Sequence, residues 1–433
     1  VGRRKEDGLA DGTRSRRRSW WRAALLIAPL LVTRLAIAAE GDSTAAGASA
    51  ESTPDRIQAL EELTQTHQSD LDKLKRFKFS GYIQVRWETA EFADDSVKVS
   101  GSPAVVTPAN DERFYIRRGR FKLTYDASPL SQAVLYFDGN TAGSNRNLTL
   151  LEAYLTLMDP WTTDHRHQLT AGQFNIPFGW EIERSSSLRE LPERSRAENV
   201  LFSGERDRGI KLVNPWTPKI ETVVSVLNGY GINDATFPTL DPTSAKDWTA
   251  RARFIGGTLD ASASYYDGIT TIPLTGEDVG VKKTRIGGDA QFYYELPSAG
   301  GGSLRGELYV GENLNPDSSR ALIIAPTAGN PVALLRPGAD PSHLDTEFNG
   351  GYVMWVQNLG EKFQFASRYD WFDPNTDLEH DQFERVSLGV NWFYDGYTRF
   401  TVAYDMPKTD TLVGVGFEDP KDNLWTVQLQ HKW

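Results

Sequence analysis

The sequence of 433 residues has no cysteine, three methionines and six histidines. Without cysteine, disulfide staples, thiolate metal ligands and thiol catalysis are excluded. Beyond the N-terminal region no apolar run is long enough for a membrane-spanning helix, and the mean hydropathy of −0.46 is that of a polar chain. That absence does not exclude a membrane barrel, whose tilted strands need only about ten residues each, half of them polar. Positive charge is also short: 47 Lys and Arg stand against 58 Asp and Glu, a formal net charge of −11. An acidic balance argues against nucleic acid as a partner.

The scarcity of histidine bears on catalysis. A barrel hydrolase needs a Ser/His or Asp/His constellation. Here His67 falls in a predicted helix, His165 and His167 beside a short turn, His343 and His380 in or beside long connections, and His431 on the outward face of the last strand. His165 and His167 lack the accompanying carboxylates or cysteines of a metal site and read as a solvated turn. No catalytic residue, cofactor or metal is expected.

The N-terminus reads as an address. Arg14, Arg16, Arg17 and Arg18 precede an apolar stretch from Ala23 to Val32 and the small residues Ala36 to Ala39. This order predicts a secretory signal peptide over residues 1–39 and an exported protein. Residues 40–55 are of low complexity and predict a flexible linker. Over 56–76, Ile57, Leu60, Thr64, His67, Leu71 and Leu74 keep the 3-4 spacing of a coiled-coil seam. So short a helix is marginal alone and makes sense as several copies held together. The alternative is a helix packed on its own domain.

From Phe77 to Trp433 the pattern is alternation with period 2, broken by turn residues. Aromatic residues make up 11% of the chain, with 12 Trp and 16 Tyr, many at strand ends. About sixteen segments have the length of a tilted membrane strand. Short and long connections alternate along the chain, the long ones near 92–111, 175–206, 230–246, 268–280, 312–346 and 406–422. An up-and-down barrel with one trimmed and one elaborated rim produces that alternation. The fold predicted is therefore all-β, a transmembrane antiparallel β-barrel of about sixteen strands over 77–433, preceded by a short N-terminal coiled-coil helix. Trp425, Val427, Leu429 and Trp433 share one face of the last segment, which is predicted to close the barrel beside the first.

With apolar faces on lipid, the other faces line a lumen. Predicted pore-lining residues are Arg118, Arg120, Lys122, Arg251, Arg253, Arg285, Arg368 and Arg385, with Arg86, Lys211, Arg305 and Arg399 also inward. Glu88, Glu152, Asp289, Glu307 and Asp370 accompany them, so the lining is mixed with a basic excess. The connection 176–206 carries Arg184, Arg189, Glu193, Arg194, Arg196 and Arg206 among apolar residues such as Phe178, Ile182, Leu191 and Phe202. A loop dangling in water has no need of so many apolar residues. Folded back into the barrel, it would bury them and leave charged side chains at a constriction, where guanidinium forks suit phosphate and carboxylate.

At this stretch the sequence resembles the phosphate-selective porin O and P family. Residues 172–181, GQFNIPFGWE, are similar to the family's Gly-Gln-Phe-x-x-Pro-Phe-Gly-x-Glu motif. ELPERS at 190–195, RDRGIKL at 206–212 and the Arg-rich FYIRRGRFKL at 114–123 resemble its following segments. The resemblance implies a sixteen-stranded homotrimeric channel in an outer membrane, passing small anions through an arginine-lined, loop-narrowed pore. It carries Gly172, Gln173, Phe174, Pro177, Phe178, Gly179, Glu181, Glu193 and Arg194 as structural or loop-forming positions. It does not carry phosphate selectivity, because well-known members have a lysine cluster near the pore and lysine is sparse here. The partners expected are outer-membrane lipid and small anions, phosphate or polyphosphate being the narrower expectation. Two alternatives stay open: a general or weakly cation-preferring porin, and a structural envelope barrel.

Overall fold

Strands that alternate apolar and polar residues have two unlike faces, and closing the sheet on itself separates them completely. The computed structural model describes residues 53–90, 97–99, 106–108, 112–140, 148–232, 244–273, 278–314, 323–324, 334–335, 344–409, 411–413, 416–418 and 422–433. Sixteen antiparallel strands close into one barrel. They are β1 Phe77–Ala90, β2 Arg113–Ser128, β3 Ser131–Gly139, β4 Leu148–Met158, β5 Gln168–Asn175, β6 Arg206–Thr217, β7 Ile220–Leu227 and β8 Asp247–Ile255. The second half is β9 Leu259–Pro273, β10 Asp278–Leu296, β11 Gly300–Leu314, β12 Asp345–Leu359, β13 Phe363–Asp373, β14 Phe383–Phe393, β15 Thr398–Thr409 and β16 Leu424–Lys432.

Each strand pairs with its neighbours in sequence, and the circle closes where β16 meets β1 from Tyr82–Lys432 to Ala90–Leu424. Trp433 extends the closure. Its N–H donates to the Gly81 carbonyl at 3.1 Å, and its own carbonyl accepts from the Gly81 N–H at 3.2 Å. The indole fills the space a Cβ on residue 81 would need, with Cζ2 of Trp433 2.6 Å from that position.

The two faces divide as the alternation requires. Phe79, Ile83 and Val85 on β1, Leu304 and Leu308 on β11, and Val386, Leu388 and Val390 on β14 are exposed. Gln84, Arg86, Glu307, Ser387 and Asn391 on the opposite faces are buried. Apolar outside and polar inside inverts a soluble domain and suits a surrounding solvent of lipid. Short links such as 128–131, 217–220, 255–259, 359–363 and 393–398 alternate with long ones.

One expectation is corrected. The long connection read at 268–280 is mostly strand, because Ile269, Thr270, Thr271 and Ile272 are β-branched and pair from Gly268–Lys283 to Pro273–Asp278. Only 274–277 remain between β9 and β10. The predicted long connections also carry small two-stranded hairpins, Val97–Val99 with Val106–Pro108, Ile323–Ile324 with Leu334–Leu335, and Thr411–Val413 with Gly416–Glu418.

Helix α1 spans Thr53–Leu74. It begins inside the predicted linker because Pro54 lies in its first turn, where a missing N–H costs no hydrogen bond. Ile57, Leu60, Leu71 and Leu74 on it are exposed. The predicted signal peptide 1–39, and the linker through residue 52, lie outside the described residues.

Candidate functional site: a loop folded through the barrel

The connection from β5 to β6, residues 176–205, runs through the inside of the barrel. Its apolar residues explain why. Ile176, Phe178, Ile182, Ala197, Leu201 and Phe202 are buried in one cluster with Tyr266 of β9, Tyr309 of β11, Phe348 of β12 and Phe372 of β13. The Phe178 ring lies 4.8 Å from that of Phe202 and 6.1 Å from that of Tyr309. Leu191 joins a second cluster with Tyr352, Met354 and Ala366. Each of the Ile, Leu and Phe side chains contributes about 1.5–3 kcal/mol on burial, which holds this half of the loop to the β9–β13 wall. Leu188 is the exception and is exposed. A short helix, α2 Arg196–Leu201, turns the chain back toward β6.

Polar anchors fix the register of that contact. Gly179 has a left-handed backbone, φ 59°, which glycine adopts without cost. A Cβ there would lie 2.5 Å from Oε2 of Glu307. The Gly179 N–H donates to Oγ of Ser264 at 3.1 Å, and the N–H groups of Trp180 and Glu181 donate to Oε1 of Glu307 at 3.0 and 2.6 Å. Tyr352 and Tyr309 donate their hydroxyls to the same carboxylate. Further along, Arg368 donates to the carbonyls of Glu193 and Arg194 at 3.0 and 3.2 Å, and Arg385 to that of Arg194 at 2.7 Å.

The other side of the loop is latched to β1, β2 and β16. Glu193 accepts from Arg86 at 2.6 Å, Arg117 at 2.8 Å and Arg118 at 3.2 Å. Arg86 also donates to the Pro192 carbonyl at 2.8 Å. Gln84 and Gln430 donate to the carbonyls of Ser186 and Ser187 at 3.2 and 3.0 Å. Burial alone pushes the Glu193 carboxyl up, but the Arg117, Arg118 and Arg86 guanidiniums outweigh it and hold it well below the usual range. Glu190 is lowered in the same way by Arg184 and Arg305. Glu205 is lowered by Arg194, Arg206 and Arg189. Burial raises Glu198 well above the ordinary value although Arg194 opposes it.

Two cavities lined by described residues lie beside the loop. The larger, about 500 Å³, is lined by Arg120, Lys122, Arg184, Arg194, Arg206, Lys211 and Lys432, against the acids Glu152, Glu183 and Glu205. Seven cations and three acids give it a formal excess of +4. The smaller, about 250 Å³, is lined by Arg117, Arg118, Arg120, Arg189 and Arg206, against Asp138, Glu193 and Glu205. Its excess is +2, five less three. Arg120, Glu205 and Arg206 line both and form the junction between them.

The predicted site residues divide between these cavities and the clamp. Arg118, Arg120 and Lys122 line a cavity, as do Arg184, Arg189, Glu193, Arg194 and Arg206 of the loop segment. Arg120 also binds Asp138 at 3.0 Å, Lys122 approaches Glu152 at 3.6 Å, and Arg206 lies 3.3 Å from Glu152. Arg251, Arg253, Arg285, Arg368 and Arg385 line neither cavity. Arg251 is paired with Glu183, and Arg253 with Asp260 at 3.4 Å. Arg285 lies over the rings of Phe202 and Tyr266 at 4.5 and 4.8 Å. Arg368 and Arg385 bind Asp370 at 3.1 and 3.0 Å. Arg196 is exposed, with its guanidinium 5.2 Å from the Phe383 ring.

Sequence reasoning missed Arg117. Strict alternation turns it away from Arg118, but the register slips between Gln84 and Val85, which pair with Arg118 and Ile116. The unpaired residue is a bulge that re-aims a side chain, and both arginines reach Glu193. Consecutive arginines in an otherwise alternating strand were the available signal. Glu205 was one acid among several in sequence, and only its place at the junction marks it.

The family model described as "Phosphate-selective porin O and P" matches residues 101–219. No curated protein matches the sequence. Among solved structures, OmpT of Vibrio cholerae in its trimer form matches with a TM-score of 0.53 and 11% identity, over 82% of this chain and 99% of that one. The outer-membrane channel DcaP of Acinetobacter baumannii matches with 0.53 and 15%, over 82% and 97%. An anion-selective porin from Comamonas acidovorans matches with 0.51 and 12%, over 82% and 99%. At such identities the structural matches speak for the fold. The resemblance to the phosphate-selective porin O and P family is thus shown over residues 101–219, on a barrel with the fold of outer-membrane porins.

Proposed function

We propose that this protein is a passive diffusion channel for small anions across an outer membrane, with the constriction set by the 176–205 loop. The observation that carries the reading is the cation excess of the two cavities, +4 and +2 by the counts above, inside a chain of net charge −11. A low-dielectric wall around a basic passage focuses the field and raises the local anion concentration, and rings of Arg and Lys are how anion pores are built. Chemistry on a bound substrate is not part of this reading, so the protein is taken as a channel and not an enzyme. Phosphate is the narrower proposal, supported by the fit of guanidinium forks to its oxygens.

A general diffusion porin is the second reading, favoured by the ion pairs that tie up Arg184, Arg194 and Arg206. Reversal potentials of the purified protein in a KCl gradient separate the two. An anion potential supports the first, and a potential near zero or on the cation side refutes it. Absence of any conductance would leave a structural envelope barrel.

The assembly proposed is a homotrimer with both termini on the periplasmic side. Exposed Ile57, Leu60, Leu71 and Leu74 on α1 support it by offering a seam to other copies. The leader 1–39 and linker belong to the same proposal, as the route of export.

A further inference from the structure

At the junction between the cavities the Glu205 carboxylate meets guanidiniums that other acids share: Arg120 also binds Asp138 at 3.0 Å, Arg194 faces Glu198 at 2.8 Å and Arg206 lies 3.3 Å from Glu152. Glu205 lines both cavities, and so do Arg120 and Arg206. Its Oε1 is paired with Arg194 and lies 3.9 Å from Nη2 of Arg189, while its Oε2 lies 3.2 Å from Nη1 of Arg206. Arg189 is buried, yet its Nε and Nη2 have no hydrogen-bond partner among the described residues, so the cluster keeps donors there that its acids leave unused.

The backbone fixes where this carboxylate points. Glu205 is left-handed, φ 63°, directly after left-handed Gly204. A glutamate rarely adopts that conformation. Its N–H donates to the Phe202 carbonyl at 2.9 Å, and its carbonyl accepts from the Ile176 N–H at 3.0 Å. Those bonds staple the two ends of the loop together at this residue, and they aim the side chain between the cavities.

We propose that the Glu205 carboxylate is a resident competitor: it fills the guanidinium cluster where a permeating small oxyanion would otherwise lodge, and so keeps ion binding weak. The inference rests on the anion-channel reading above. A guanidinium fork takes carboxylate and phosphate oxygens alike, so a tethered carboxylate and a free oxyanion contend for the same donors. Conduction requires that an ion entering a site also leave it. An internal acid that reoccupies the cluster after each passage supplies that release without leaving the Arg189 and Arg194 donors empty.

The test is block of chloride current by acetate and by inorganic phosphate in planar bilayers, comparing the wild type with E205Q, E205G and E205D. E205Q removes the charge and keeps the size. E205G removes the side chain and suits the left-handed backbone, which guards against a misfolded loop. Both are expected to lower the half-blocking concentration about tenfold or more, the change a lost charge contact near a protein surface brings. E205D, which keeps the charge, is expected to stay closer to the wild type. Unchanged block in both E205Q and E205G overturns the proposal. A cation-side reversal potential in the wild type sinks the anion-channel reading instead, and is seen without any variant.

Discussion

Arg86 on β1 and Glu193 in the loop meet at 2.6 Å, and the same carboxylate takes Arg117 and Arg118 from β2. One acid thus ties the loop to the strand pair opposite its apolar anchor. Glu193→Gln takes away the anion that three guanidiniums share, of which Arg86 keeps a second acid, Glu88 at 3.2 Å, at a cost of about 1–3 kcal/mol for this half-buried cluster. The expected result is a loosened loop: new protease cleavage near residues 184–196 and a larger, noisier single-channel conductance. A variant with wild-type cleavage and conductance would show that the latch is ornamental.

Phe178→Ala should act from the other side. The ring is fully buried against Phe202 and Tyr309, and its loss costs about 3–5 kcal/mol. That energy is drawn from loop docking and not from strand pairing. Heat-modified gel mobility of the barrel should be unchanged while conductance noise rises; loss of the folded band would contradict the assignment.

Acid should undo the latch. Glu190, Glu193 and Glu205 have carboxyls lowered from the ordinary 4.5 by their arginines, so their stabilisation is complete above that value and is lost as pH falls through the folded-state values. Glu198 is raised and works with the opposite sign, since its protonated form suits the buried site. Each of the three lowered carboxyls holds at least two arginines, so protonating them loosens the docked loop. Conductance recorded from pH 7 downward should hold steady to about 4.5 and become unstable below it; instability setting in above that value would point to other groups.

Arg120 and Arg206 line the junction and Arg196 does not. Arg120→Ala with Arg206→Ala should move the reversal potential in a KCl gradient toward the cation side. Arg196→Ala should leave it in place. Equal shifts from all would deny the junction its role in selectivity.

Gly81→Val would drive its Cβ into the Arg120 carbonyl oxygen and set it 2.6 Å from the Trp433 indole. The expected outcome is a lower folded fraction on refolding into detergent, which Trp433→Ala does not restore in the double variant, because the backbone contact remains. Full rescue in that pair would assign the defect to the indole alone.

The barrel was legible because period 2 survives along most of the strands whose outer face meets lipid: Val386, Leu388 and Val390 against Ser387 and Asn391 needed no tertiary information. The inward folding of residues 176–205 was legible from Phe178, Ile182, Leu191 and Phe202, which water does not tolerate together. What alternation does not carry is the pairing of charges across the lumen. Arg368 and Arg385 look like Arg118 in sequence, yet they bind Asp370 and loop carbonyls. The bulge that turns Arg117 inward breaks the very period used to read it.

The loop's partners come from both ends of the chain: Ser187 is bonded by Gln430 and Ser186 by Gln84, while Trp180 is held by Glu307. Contacts so distant in sequence form late, after the entropy of closing the intervening chain has been met. The loop's full set of partners therefore exists only in the closed barrel, because Gln430 stands beside Gln84 only once β16 has met β1. Narrowing of the lumen and closure of the sheet are in that sense one event, and a barrel with an open seam would also have a loosely held constriction.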